Sequence, residues 1–506
     1  MSYLLGIDVG TSGVKALLVD PARDGFTASS ATKTYPLFTP NPLWAEQNPE
    51  DWWNAALAAI GDAMRQRGIS GKDIKGIGLS GQMHGAVFLD EANQVIRPSI
   101  LWCDQRTAVE CDWITEKIGA ERIIELISNP VLTGFTAGKI IWLRNNEPEA
   151  YSRVKKVLLP KDYIRLRLSG EYATDVSDAS GTALFNVKGR TWSGEMLDAL
   201  NIPGEWMPRV YESPEITGRI TAEAAAVSGL EPGTPVVAGG GDNAASAVGN
   251  GIVEPGLVFS SIGTSGVVFA YADEPVVDPK LRVHTFCHAV PGKWHVMGVV
   301  LSAGGSLRWY RDTFCEAENA VAGHTNRDTY DILSEEADGV PPGCEGLVFL
   351  PYLTGERTPH ADPYARGVFF GITLRHSKPY FARAVMEGVS YAMRDSFEIM
   401  KEMGVPLTQV RATGGGARSA LWRQIEADIT GKEHVTVNTE EGPAFGAALL
   451  AGVGTGVYPS VIEACKSAIR VEKSTEPIQN NIPIYERYYR VYQDLYKSLK
   501  PDFRLV

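Results

Sequence analysis

The chain has 506 residues, 44% of them apolar, and its 48 basic against 60 acidic side chains give a formal net charge of −12. That length exceeds one compact core and predicts two domains of roughly 250 residues, divided as 1–248 and 249–506. The negative balance argues against nucleic acid or an anionic membrane as a partner, and it leaves any phosphate site to local donors.

No basic stretch precedes an apolar one at the N-terminus, and no apolar run reaches the roughly 18 residues of a membrane helix, so cytoplasmic residence is the expectation. Residues 4–9 and 14–19 are short β-rich runs around a Gly-Thr-Ser-Gly turn, which reads as a hairpin. Its hydroxyls and backbone N–H groups can bond phosphate oxygens. A strand follows Gly13, whereas the P-loop and the dinucleotide fingerprint both need a helix there. Asp8 ends a strongly apolar run, where a carboxylate is costly unless a cation or hydrogen-bond donors meet it. Magnesium on nucleotide phosphates would meet it.

Asn48, Pro49, Glu50 and Asp51 read as the start of a helix running from about Trp52 to Arg67, before Gly68. A strand over 74–80 then delivers the loop 81–85. Extended pieces followed by helices recur along the chain, which suggests an α/β architecture with ligands gathered at strand ends. A β-rich run and three glycines next present Asp242 and Asn243 at a helix start, with Asp242 as catalytic base, N-cap, or both. Turn formers at 249–251 and 255–256 mark a boundary near 245–257.

The same turn then recurs: residues 9–14 read VGTSGV and residues 262–267 read IGTSGV, half a chain apart, so the halves read as related domains. Residues 283–290 alternate like a strand, which sends His284, Cys287 and His288 to opposite faces and argues against a metal site shared with His295. The six cysteines lack CxxC spacing and read as reduced thiols. The glycine strip 414–416 sits before a predicted helix over 420–430, as an adenine or phosphate platform or as a plain helix-entry turn. Small residues at 242–249 and 443–450 form two helices able to lie close to a neighbouring backbone, as at a hinge. Tyr485, Tyr488, Tyr492, Leu495 and Leu499 mark a buried stripe on the last helix.

Taken together these segments resemble the FGGY family of carbohydrate kinases, within the actin/hexokinase/Hsp70-like ATPases. The resemblance runs nearly end to end and is carried by residues 42–47, 81–85, 157–163, 177–182, 237–243, 350–360 and 414–422. It implies an α/β fold of two ribonuclease-H-like domains flanking a deep cleft, with sugar held mainly by the first and ATP mainly by the second. Carried over by motif, Asp242 is the general base with Asn243 beside it on the sugar, and Met83, His84, Trp102 and Asp104 contact the sugar. Asp8 is the second catalytic residue, organising magnesium and the transferred phosphoryl group. Thr11, Ser12 and Lys15 hold phosphates from one side and Thr264 from the other, while Gly304, Gly415, Gly416 and Ser419 bound the nucleotide.

In the related glycerol kinases the sugar loop resembles Gln-Arg-Glu, whereas Met83 and His84 put an apolar residue and an imidazole there. That favours a ketopentose over glycerol, and the resemblance implies D-xylulose, phosphorylated by Mg·ATP on its C5 hydroxyl. Ribulose, gluconate and rarer ketoses stay open within the family. The same architecture also serves chaperones and filament-forming ATPases, a reading opposed by the polar loop 81–85 and by the lack of a separate peptide-binding domain. The partners are then small molecules, with a homodimer left open.

Overall fold

Strands β1 (Tyr3–Val9) and β2 (Gly13–Asp20) form an antiparallel hairpin in which Leu4 faces Val19 and Asp8 faces Lys15. The Gly10 N–H closes the turn on the Gly13 carbonyl. A computed structural model describes residues 2–23, 26–439 and 441–506. Strand β3 (Phe26–Thr34) continues the meander beside β2. Helix α1 (Pro49–Arg67) starts where the Asn48 side chain accepts the Glu50 N–H, and it ends at Gly68 with φ 69°. Strand β4 (Ile74–Gly81) then returns parallel to β1, a crossover that needs the intervening helix.

Helix α2 (Thr136–Asn146) belongs to the inserted segments of this half. Strands β5 (Ile216–Arg219), β6 (Pro235–Val237) and β7 (Gly240–Gly241) complete the first sheet, in the order β5-β6-β4-β1-β2-β3 with β7 beside the end of β4. Helix α3 (Asp242–Gly249) follows directly.

The second half repeats the plan. Strands β8 (Gly256–Ile262) and β9 (Gly266–Ala272) are the second hairpin, and β10 (His284–Cys287) and β11 (Trp294–Val300) extend it. After helices α4 (Gly304–Phe314) and α5 (Lys378–Glu402), strand β12 (Leu407–Thr413) runs parallel to β8. Helix α6 (Ala420–Thr430), strand β13 (Glu433–Val437), helix α7 (Gly442–Gly454) and strand β14 (Val471–Thr475) follow, and helix α8 (Ile482–Leu499) closes the chain. The sheet order is β10-β11-β9-β8-β12-β13-β14. Each sheet thus holds three antiparallel strands joined to two parallel ones, β3-β2-β1-β4-β6 against β11-β9-β8-β12-β13. This is the ribonuclease-H-like arrangement twice over.

The two small-residue helices join the halves. Helix α7, from the second half, lies directly on β1 and β4 of the first sheet, because a Cβ at Gly6 or Gly78 would fall 1.8 or 1.9 Å from the carbonyls of Ala444 and Ala447. Helices α3 and α7 touch backbone to backbone. A Cβ at Gly446 would fall 1.9 Å from the Ala245 carbonyl, and one at Gly249 would fall 2.2 Å from that of Gly442.

On α8 the stripe is core, buried against α5, with Tyr489 donating to Asp395 and Tyr485 to Glu387. Its deepest residues are Tyr485, Tyr489, Tyr492, Leu495 and Tyr496, while Tyr488 and Leu499 sit at its margin. The strand expected over 283–290 is only four residues long, and His284, His288 and His295 pack among Phe269, Phe286 and one another. Among the described residues no group of His, Cys, Asp and Glu is arranged to hold a metal, and no helix is long and apolar enough to cross a membrane. All six cysteines are free thiols.

Candidate active site

The parallel strands of the first sheet bring two carboxylates to one edge. Asp8 of β1 lies abreast of Ser80 of β4, and Ser80 abreast of Gly240 of β7; Val9, Gly81 and Gly241 form the next row. Asp242 follows one residue later as the first residue of α3, so both carboxylates sit where an α/β sheet places its ligands. The cap position is taken by Gly241, which makes no side-chain cap, and Asp242 is the first helical residue. Asp242 instead accepts two bonds from Asn243, from the backbone N–H at 2.8 Å and the side-chain amide at 3.0 Å.

Burial pushes the Asp242 carboxyl up to about 7, and the charge of Asp8 adds to that push. Asp8 is itself held up near 6 by burial, against the Ser80 hydroxyl and the Lys15 charge, and its Oδ1 is buried without a hydrogen-bond partner. Such an oxygen is a fit for a hard cation.

The loop 81–85 is pinned beside them. Met83 is buried against Gly241, where a Cβ would meet its Cγ at 2.9 Å. His84 has φ 69°, and its ring stacks on Phe135 with centroids 4.7 Å apart. Its Nδ1 lies 2.6 Å from the Gly181 carbonyl; a carbonyl can only accept, so Nδ1 carries the proton and Nε2 is an acceptor in the neutral ring. Burial keeps the imidazole neutral, down near 3, with Lys139 and Arg357 of the opposite half adding to the push.

Gly241 is held by a buried charged cluster built from Lys161, Asp162, Asp175 and Ser177. Lys161 pairs with Asp162 at 2.6 Å and Asp175 at 2.9 Å, Ser177 donates to Asp175, and the Gly241 N–H donates to the Ser177 hydroxyl at 3.1 Å.

Trp102 and Thr11 meet each other: the indole N–H donates to the Thr11 hydroxyl at 2.9 Å, which donates to Gln82 at 3.2 Å. Asp104 is fully buried, and its oxygens accept from the Ala45 N–H and the Arg106 guanidinium. Ser12 is exposed at the hairpin tip, and Lys15 pairs with Glu441.

In the second half, Thr264, Gly304, Gly415, Gly416 and Ser419 line one groove of about 320 Å³, with Arg308, Asp328 and Ser334. The Gly304 N–H is given to the Gly263 carbonyl at 2.8 Å, so Gly304 supplies clearance for the hairpin and no free donor. Ser419 caps α6 and reaches Ser334 at 3.1 Å. A larger cavity of about 580 Å³ shares Gly415 and Arg418 with this groove and is lined at its other end by Asn243.

Sequence reasoning missed Ser80, Phe135 and Lys139 near the loop 81–85 and Arg308, Asp328 and Ser334 in the groove. Only Ser80 carried a local signal, at the end of the strand that delivers the loop.

Two ribonuclease-H-like lobes, a repeated Gly-Thr-Ser-Gly hairpin and paired carboxylates at a strand edge define a phosphotransferase of the actin/hexokinase-like class. The chain belongs to the FGGY family of carbohydrate kinases, whose N-terminal domain model matches residues 3–249 and whose C-terminal domain model matches residues 258–455. It is 42% identical to the xylulose kinase of Escherichia coli strain K12 over 501 residues, 98% of this chain and 99% of that one. It is 34% identical to the gluconokinase of Bacillus subtilis strain 168 over 506 residues, covering 98% of each. Among solved structures, a xyloylose kinase from Brucella ovis superposes with a TM-score of 0.89 at 38% identity, covering 99% of both chains.

Proposed function

We propose that the protein transfers the γ-phosphoryl group of ATP to the C5 hydroxyl of D-xylulose, giving D-xylulose 5-phosphate and ADP. The carrying observation is the placement of Asp242: it is the first residue of α3, raised to about 7, and one residue beyond the strand edge that holds Asp8. A base tuned near neutrality takes the hydroxyl proton as the oxygen attacks phosphorus. Phosphoryl transfer asks mainly for alignment and charge neutralisation, which the two hairpins and the groove supply.

Met83, His84 and Asn243 line the sugar, with the His84 Nε2 accepting from a sugar hydroxyl. Trp102 and Asp104 act as positioning residues, since Trp102 is spent on Thr11 and Asp104 on Arg106. Thr11, Ser12 and Lys15 on one lobe and Thr264 on the other face the triphosphate, and Gly304, Gly415, Gly416 and Ser419 wall the nucleoside.

Asp8 would hold magnesium through its unpartnered oxygen. A lone carboxylate suits an ion that keeps most of its shell in water and phosphate oxygens. When bound, magnesium neutralises charge on the transferring group. Residues 1–248 form the sugar domain and 249–506 the nucleotide domain.

Full-length relatives acting on xylulose and on gluconate make the sugar the point to test. Met83 and the neutral His84 give a carboxylate no charged partner in the loop, which favours the ketose. ADP release measured with D-xylulose, D-ribulose, D-gluconate and glycerol should show the highest kcat/KM for D-xylulose, with NMR placing phosphate on C5. Higher efficiency with gluconate would overturn the substrate.

A further inference from the structure

His84 is held in a left-handed backbone conformation, rare for a residue with a side chain, and its carbonyl is the point of attachment. That oxygen accepts from the Thr136 hydroxyl at 3.0 Å and from the Lys139 ammonium at 2.7 Å, both on α2. Lys139 also donates to the Gly134 carbonyl at 2.8 Å, next to Phe135, the ring on which His84 stacks. The ammonium is fully buried, and among the described residues no carboxylate lies within ion-pair distance.

Burial pulls the ammonium down to about 7, a fall that the charge of Asp104 only partly opposes, and an apolar side chain of that length would fill the space more cheaply. What the charge contributes is two strong, directed hydrogen bonds that tie the sugar loop and the Phe135 loop to one helix. Gly181 completes the clamp, since a Cβ there would lie 2.4 Å from the His84 Nδ1.

We propose that Lys139, with Thr136, is a positioning residue for sugar binding: by holding the His84 carbonyl, it fixes the turn that aims the His84 Nε2 at a substrate hydroxyl. The proposal rests on the reading of His84 as a sugar contact. It concerns affinity for the ketose and not the chemistry at Asp242.

Lys139→Met, Thr136→Val and His84→Ala, each in the full chain, are compared in steady-state kinetics with D-xylulose and ATP and in calorimetric titration of D-xylulose. Loss of a charged hydrogen bond predicts that Lys139→Met raises the sugar KM and Kd by about 10–100-fold, and Thr136→Val by a smaller factor. KM for ATP and sugar-independent ATP hydrolysis should stay within about 2-fold, as the groove lies on the other lobe, and His84→Ala should raise the sugar KM at least as much as Lys139→Met. A sugar KM within about 2-fold of wild type in Lys139→Met, with His84→Ala impaired, overturns the clamp alone. Equal damage to sugar and ATP parameters in both α2 variants assigns Lys139 to stability and overturns it as well. An unimpaired His84→Ala overturns the sugar contact and the clamp together.

Discussion

Lys15 and Glu441 form an ion pair, Nζ to Oε2 at 2.8 Å, that ties the first phosphate hairpin to the residue preceding helix α7 in the other half of the chain. The ammonium proposed to meet nucleotide phosphates is therefore engaged by a carboxylate. Phosphate must displace Glu441 to gain Lys15. Partly exposed pairs are worth up to about 1 kcal/mol, so Glu441→Gln should lower KM for ATP by about 2–5-fold, and Lys15→Ala should raise it. Nucleotide titrations of both variants check this, and an unchanged KM for ATP in Glu441→Gln would count against the competition.

Gly78 marks the closest approach of helix α7 to the first sheet, with no room for a methyl group beneath the Ala447 carbonyl. Gly78→Ala must push the helix away. Overpacking of this kind costs about 1–3 kcal/mol or more. Because α7 also touches α3, whose first residue is Asp242, kcat should fall together with the melting temperature. Gly68→Ala, at a helix end with open space around it, should leave kcat intact and cost only its backbone strain. Calorimetry and kinetics on the pair separate the two effects.

How much of this was legible in the sequence follows from the range of each contact. The hairpins, the cap at Asn48 and the helix start at Asp242 are set by residues within one or two turns of each other, and the local pattern gave them correctly. The docking of α7 on Gly6 and Gly78 joins positions more than 350 residues apart, and only the small-residue composition hinted at it. The bonds from Lys139 to His84 and from Trp102 to Thr11 left no sign at all, since these side chains find their partners only when the sheet is assembled. In the fold the Thr11 hydroxyl lies between the Trp102 indole and Gln82, and the Asp104 carboxylate accepts from Arg106. The stripe on α8 was displaced for a simpler reason: both Tyr488 and Tyr489 fit a helical period, and only packing against Asp395 selects Tyr489.

Asp242 also ties activity to stability. Its carboxyl keeps a proton up to about pH 7 in the folded chain but loses it near 3.8 when unfolded. Between those values the folded state binds more protons, so stability falls as pH rises, and the loss is complete above about 7. Asp242→Asn should therefore melt at a higher temperature than wild type at pH 8, by roughly 1–4 °C, with the gap closing as pH falls toward 4. On the activity side the base must be ionised, so kcat/KM for sugar should drop below an apparent pKa near 7. Asp8→Asn removes a like charge and should move that limb to lower pH while raising the magnesium requirement. Melting curves and pH profiles on both variants test this. A wild-type acidic limb that stays in place in Asp8→Asn would break the link between the carboxylates.

The central assignment is Asp242 as the base that deprotonates the sugar hydroxyl. Single-turnover phosphorylation of D-xylulose by Asp242→Asn, alongside calorimetric binding of the sugar, tests it directly. The rate should fall by about 10²–10⁴ with sugar affinity changed only a few-fold. Turnover within about 10-fold of wild type would contradict it.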